Sequence, residues 1–112
     1  MPIANCIVTP ECYRKIENST GLIETWAEYS GISTEHMTLN IVVSSAQFGN
    51  SYGVMANLYL PSLWSAQDVS SIQSGLARAL AQHFKVTSDS VHVITGIVSS
   101  GMVVESGEKI EW

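Results

Sequence analysis

The sequence predicts an α+β fold in which two β-α-β units form one four-stranded mixed sheet with both helices on the same face. Two observations lead to this prediction. Patterns typical of strand, helix and strand follow one another twice along the chain. A weak internal repeat aligns residues 33–45 with residues 88–100, and Ala4-Asn5 recurs as Ala56-Asn57. Because β-α-β units cross over right-handed, two units placed side by side leave the other face of the sheet bare.

The first unit begins with an apolar strand over residues 1–8. Thr9-Pro10-Glu11 predicts a helix start, since threonine caps the first turn, proline suits the first helical position and an acid favours the N-terminus. Apolar residues recur at helical spacing up to Gly31, which fits the C-terminal cap position. Residues 18–21 weaken the middle of this helix and allow a break. Residues 37–43 are β-rich and predict the second strand.

The second unit repeats this order. Residues 54–60 predict a third strand, and residues 91–98 a fourth. Ser65 and Asp68 form a capping box that starts the second helix. This helix has an apolar stripe at helical spacing, consisting of Val69, Ile72, Leu76, Ala79, Leu80 and either His83 or Phe84.

The low charge content indicates that the chain forms an oligomer. Only 13% of the residues are charged, whereas about a quarter to a third of a monomer's surface residues usually are. Other subunits would cover the bare, apolar face of the sheet. Residues 102–112 predict a closing hairpin, and its apolar side, Ile110 and Trp112, is expected to pack on a neighbouring subunit.

Composition narrows the class of protein. At 112 residues, the chain is expected to be one domain over residues 1–112. The net charge of −5, with only five lysines and arginines, argues against nucleic-acid binding. No apolar run is long enough to span a membrane, and no signal-peptide pattern is found, so a cytoplasmic protein is expected. Cys6 and Cys12 are expected to be reduced thiols, and neither a metal nor a cofactor is expected.

Pro2 is the candidate catalytic residue. Aminopeptidases normally remove a methionine that precedes proline, so the expected mature chain begins with the secondary amine of Pro2. An α-amino group titrates near pH ~7.7–8.0, and an apolar pocket lowers that pKa. A base with a pKa near the working pH suits general acid–base catalysis. In the alternative interpretation, Pro2 merely starts a strand, where its missing N–H costs nothing.

In the order and spacing of its parts, nearly the whole chain resembles the tautomerase superfamily, which includes proteins similar to macrophage migration inhibitory factor and to 4-oxalocrotonate tautomerase. It is most similar to the longer, two-repeat class that includes macrophage migration inhibitory factor. The resemblance implies a homotrimer whose sheets face a central barrel, with Pro2 as the acid/base and active sites between subunits. It rests on Met1-Pro2 leading into a strand, a helix ending at Ser30-Gly31, strands over residues 37–43 and 54–60, a helix from Ala66-Gln67, the turn at residues 86–91, and a strand leading to Gly101-Met102.

The resemblance also implies substrate-binding positions, where this sequence departs from the family. Ile32 stands where macrophage migration inhibitory factor has a lysine, and His92 and Ile94 stand where it has a tyrosine and an asparagine. Leu60 is expected to add apolar pocket surface. The arginines that related hydratases and dehalogenases use are absent from residues 65–69. Activity on carboxylate substrates is therefore expected to be weak.

Two functions remain open on the sequence. The first is a proline-based tautomerase or isomerase that moves a proton between carbon and oxygen of a small substrate, such as an α-keto or enol acid. His92 would orient the substrate or donate to the enolate oxygen, although a lone histidine on a strand is often simply packed and hydrogen-bonded. The second is a non-catalytic oligomer, a ligand-binding or regulatory module on a tautomerase- or ferredoxin-like fold. The same order of elements serves both functions.

Overall fold

The structure is a computed structural model that describes residues 1–15 and 21–112. A single 3₁₀ turn at Ser88–Ser90 precedes the fourth strand. Within the described residues, the helices and strands are β1 (Ile3–Val8), α1 (Pro10–Arg14), α2 (Leu22–Ser30), β2 (Thr38–Val43), β3 (Val54–Pro61), α3 (Ala66–Phe84), β4 (Val91–Val98), β5 (Val103–Glu105) and β6 (Glu108–Ile110).

The main sheet is mixed and four-stranded, as predicted. Its strand order is β2-β1-β3-β4, with β1 antiparallel to β3 and the two outer pairs parallel. Asn5 pairs with Asn57 at the centre of the sheet. These two residues are equivalent in the internal repeat, so the repeat corresponds to two β-α-β halves arranged about the middle of the sheet. Strands β5 and β6 form the predicted closing hairpin.

The predicted helix caps are confirmed. The Thr9 hydroxyl accepts from the Cys12 N–H at 3.2 Å, and the Ser65 hydroxyl accepts from the Asp68 N–H at 3.1 Å. Gly31 ends α2 with a φ of +74°, which favours glycine. No described helix combines the length and apolar content that crossing a membrane requires.

Among the described residues, the region predicted as the first helix contains two helices, α1 and α2. Helix α1 has its C-cap at Lys15, and α2 begins after Gly21, whose φ of +89° is a left-handed conformation. Residues 18–20, which belong to the stretch expected to allow a break, lie outside the described residues.

Both long helices, α2 and α3, cover one face of the sheet, as predicted. Alternate side chains of β1 and β3 point to this face and are buried. The Trp26 indole N–H donates to the Ile72 carbonyl oxygen at 3.1 Å and so links α2 to α3 within the core. The largest fully buried side chains of this core are Trp26, Phe84, Leu58, Leu60, Ile72, Leu76, Leu80, Val8 and Val54.

The other face of the sheet is bare within the chain. It exposes large apolar side chains, including Ile7, Val42, Tyr59 and Ile94. Asparagine side chains lie across the middle of this face, where the Asn40 side chain donates to the Asn5 side-chain oxygen at 2.8 Å. The bare apolar face that the sequence predicts is therefore present.

Candidate functional site

A cavity of about 580 Å³ opens at the end of the sheet where the chain begins. Ligand pockets commonly enclose roughly 300–1,000 Å³, so this cavity has room for a small molecule. The start of the chain, the start of β2, the segment after β3 and the closing hairpin all contribute to its lining. Most of the lining is apolar and includes Ile3, Leu63, Trp64, Val103, Ile110 and Trp112.

The closing hairpin forms one wall because the end of the chain is tied to its own subunit. The Trp112 backbone N–H donates to the Ser100 hydroxyl at 2.7 Å, and its indole N–H donates to the Ser62 hydroxyl at 3.0 Å. The apolar side of the hairpin, Ile110 and Trp112, thus lines a cavity of its own chain. Its expected packing on a neighbouring subunit remains a prediction.

Pro2 is buried, and its neighbours Met1 and Ile3 both line the cavity. The Thr38 N–H donates to the Pro2 carbonyl oxygen at 2.9 Å, which holds the chain start against β2. Loss of solvent lowers the pKa of the Met1 α-amino group, while the negative charge of Glu105 opposes this by raising it. An amine at this end of the chain therefore responds to both the apolar wall and a carboxylate.

His92 lies at the opposite end of the sheet from Pro2. It pairs with Met55, which in turn pairs with Ile7. Ile7 is five strand residues from Pro2, roughly 16 Å at about 3.3 Å per residue. His92 lies against Tyr52, with ring centroids 4.8 Å apart. Its Nδ1 atom is buried and has no hydrogen-bond partner among the described residues.

The other predicted substrate-binding residues do not line this cavity. Ile94 lies on the bare face and is 55% exposed, whereas Leu60 lies in the core on the helix side and has no exposed surface. Ile32 follows α2, is half-buried and packs against the core. Leu60 directly follows Tyr59, which is the partner of Ile3 in the β1–β3 pairing. A single chain therefore does not bring Pro2 together with His92 or Ile94.

The cysteines and the groups that could bind a metal lie outside this cavity or are too dispersed to act together among the described residues. Burial raises the pKa of the Cys6 thiol to about 12, so it remains protonated. Cys6 and Cys12 are both buried and free, in line with the predicted reduced thiols. No group of three histidines, cysteines or acids is placed to hold a metal in residues 1–15 and 21–112.

Comparison with known proteins agrees with this architecture at the level of the fold. No protein-family model matches the chain, and no curated protein matches it. Among solved structures, a fused 4-OT described as an asymmetric trimer has a TM-score of 0.74 at 10% identity, covering 96% of this chain and 94% of its own. Macrophage migration inhibitory factor from Oncomelania hupensis has a TM-score of 0.70 at 12% identity, covering 99% and 83%. The chain has the tautomerase fold.

A third similar structure, a member of the cis-3-chloroacrylic acid dehalogenase family, has a TM-score of 0.67 at 9% identity and covers 96% of this chain and 82% of its own. The resemblance inferred from the sequence is thus confirmed for the fold. At these identities, the residues that would act in catalysis have to be argued from this chain itself.

Within this tautomerase fold, the structure reveals cavity residues that sequence reasoning missed, namely His36, Trp64, Glu105 and Trp112. Trp64 and Trp112 are far apart in sequence, and only the return of the hairpin brings them to one cavity. The sequence did offer a signal for these two residues, since a tryptophan in a polar, turn-rich segment usually packs its large ring against other side chains. Glu105 gave no signal, because a carboxylate on a hairpin is ordinarily a solvated side chain.

Proposed function

We propose that the chain is a cofactor-independent tautomerase, an isomerase in which the Pro2 nitrogen moves a proton between carbon and oxygen of a small carbonyl compound. The observation that carries the proposal is the position of Pro2 between two residues that line an apolar cavity of ligand size. Removal of Met1 would leave the Pro2 nitrogen facing the space that Met1 lines. The tautomerase fold, shared with a fused 4-OT and with macrophage migration inhibitory factor, supports this assignment.

The chemistry requires the neutral form of the amine. The Pro2 nitrogen takes a proton from one atom of the substrate and returns a proton at the other, so C–H and O–H bonds exchange with no oxidant or reductant. Loss of solvent at the chain start lowers the pKa of an amine there, which increases its neutral fraction near pH 7. The apolar lining also keeps water away from the reacting atoms.

The proposal includes a homotrimer of one-domain subunits over residues 1–112. The bare sheet face supports it, because Ile7, Val42 and Ile94 would otherwise remain in water. The similar fused 4-OT is itself described as a trimer. His92 and Ile94 are too far from Pro2 to act with it in one chain, so we place them in the site of a neighbouring subunit, where they would orient the substrate.

The test compares two preparations whose masses differ by Met1. The protein with a free Pro2 should speed the enol–keto conversion of phenylpyruvate or of its methyl ester. In the protein that retains Met1, the Pro2 nitrogen is an amide without a basic lone pair, and the nearest amine lies about 3.8 Å further along the chain. The rate should fall by at least ~100-fold, because small displacements of a catalytic group are costly.

Sedimentation and intact mass serve as controls for the two preparations, since both should form the same trimer. His92→Ala in the free-Pro2 protein tests the neighbouring contribution. A lower rate with the trimer intact supports an orienting role, and loss of the trimer supports a packed histidine. Equal activity with and without Met1 would rule out the proline mechanism, and no activity above background in either preparation would favour a non-catalytic ligand-binding module.

A further inference from the structure

We infer that the cavity beside Pro2 takes an uncharged carbonyl compound with a planar, apolar body, and that Glu105 is the residue that disfavours carboxylate substrates. This inference rests on the proposed function and names its substrate class. It depends on three features of the described residues: the charge of the lining, the positions of the cations and the chemistry of the walls.

The first feature is the sign of the charge at the cavity. Glu105 is an acidic residue of the lining, and the lining contains no lysine or arginine within the described part of the chain. The negative charge of Glu105 reaches the chain start, where loss of solvent lowers the pKa of the Met1 α-amino group and this charge raises it. Glu105 is exposed, so water screens its charge in part, but a carboxylate bound in the same apolar space would still meet this like charge at close range.

The second feature is where the cations lie. Lys109, although on the hairpin, places its ammonium 3.0 Å from the Glu111 carboxylate, and Arg78 lies over the Tyr29 ring on the helical side. The other three basic residues, Arg14, Lys15 and Lys85, follow β1 or precede β4, so they belong to the end of the sheet that carries His92. Among the described residues, no lysine or arginine is therefore placed in this cavity to pair with a substrate carboxylate.

The third feature is the walls. Trp64 and Trp112 are two indoles that can cover a planar group, and Val103 and Ile110 add aliphatic surface. Thr38 and His36 add hydrogen-bond donors to the lining, and these are suited to a carbonyl or enol oxygen. These walls match an aryl or alkyl ketone in size and polarity. The reaction is proton transfer only: the α C–H bond breaks, the nitrogen of Pro2 carries the proton, and an O–H bond forms.

The experiment uses two substrates that share one carbon skeleton, phenylpyruvate and its methyl ester, with the intact chain carrying a free Pro2. The ester should have at least ~10-fold higher kcat/KM than the acid after correction for the uncatalysed rates, because only the acid places a carboxylate beside Glu105. Glu105→Lys should reduce this preference ~10-fold or reverse it, mainly through the acid. Glu28→Lys is the matched control, since it makes the same charge change on the exposed side of α2 and should leave the preference unchanged.

The outcomes separate this inference from the proposed function. If the protein turns over the acid faster than the ester, or if Glu105→Lys leaves the ratio of the two kcat/KM values unchanged, the inference is overturned and the tautomerase proposal stands. Preference for the acid would then imply a cation that reaches the cavity from a neighbouring subunit. If neither substrate turns over, the proposed function fails. Quenching of Trp64 and Trp112 fluorescence then decides the charge preference: tighter binding of the ester that Glu105→Lys abolishes supports the inference, and equal or tighter binding of the acid overturns it.

Discussion

The two halves of the sheet start with equivalent buried residues that have very different surroundings. In the internal repeat, Pro2 before β1 corresponds to Val54 at the start of β3, and both are buried. We call the end of the sheet with Pro2 the N-terminal end and the end with Val54 and His92 the loop end. At the N-terminal end, the space beside Pro2 is a cavity.

The loop end is packed instead. The Thr9 N–H donates to the Gly53 carbonyl oxygen at 3.0 Å, which ties the residue before β3 to the start of α1. Cys12 lies so close to Gly53 that a Cβ there would be 2.8 Å from its sulfur. The two strand starts therefore differ: the start of β3 is packed against α1, whereas the start of β1 lies beside an open cavity. The difference shows that the repeat builds the scaffold, while the segments around it build the site.

Among the variants that test this difference between the two ends, Gly53→Ala is expected to have the largest effect, a loss of stability. The added Cβ has to push the buried Cys12 sulfur away, which should cost about 1–3 kcal/mol of unfolding free energy in urea denaturation. Cys12→Ala should recover much of this loss in the double variant, because it removes the atom that clashes. Additive losses in the double variant would show that the loop end is not packed through this contact.

A smaller effect is expected from Trp112→Phe at the N-terminal end. The variant keeps a ring on the cavity wall and removes the indole N–H that donates to Ser62. The net loss should be about 0.5–1.5 kcal/mol, and hydrogen exchange should become faster in β5 and β6. Ser62→Ala removes the same bond, so the double variant should lose little more than either single variant. Unchanged exchange in the hairpin would mean that this bond does not hold the wall.

The smallest effect is expected from Glu105→Gln on the pH dependence. Glu105 stabilises the cationic form of an amine at the chain start and so raises its pKa. Without that charge, the pKa of the Pro2 amine should fall, and the rise of kcat/KM with pH should move to lower pH for the uncharged ester. Glu105→Asp keeps the charge and is the control, and His36→Asn checks that the other titratable group of the lining does not cause the shift. A move to higher pH would contradict the assignment.

The sequence predicted much of the scaffold because its signals are local. The helix caps at Thr9, Ser65 and Gly31 were predictable, since each is a short-range pattern between a side chain and its own helix start or end. The four strands and the bare apolar face followed from alternation and from the repeat. These patterns specify neighbours within a few residues, which is enough to order the elements, while the tautomerase fold was expected from the resemblance to that superfamily.

The site depended on the tertiary structure. Strand pleating sets which side of the sheet a residue faces, so Leu60 lies in the core and Ile94 on the bare face although both are apolar strand residues. Strand register places His92 far from Pro2 within one chain.

By itself, the sequence thus determined the order of elements, the fold and the candidate base Pro2. Only the tertiary structure decided that Glu105, Trp64 and Trp112 surround the chain start, and which end of the sheet stays open. The reason is physical: caps and alternation arise between near neighbours in the chain, whereas a cavity arises where the return of distant segments leaves space unfilled.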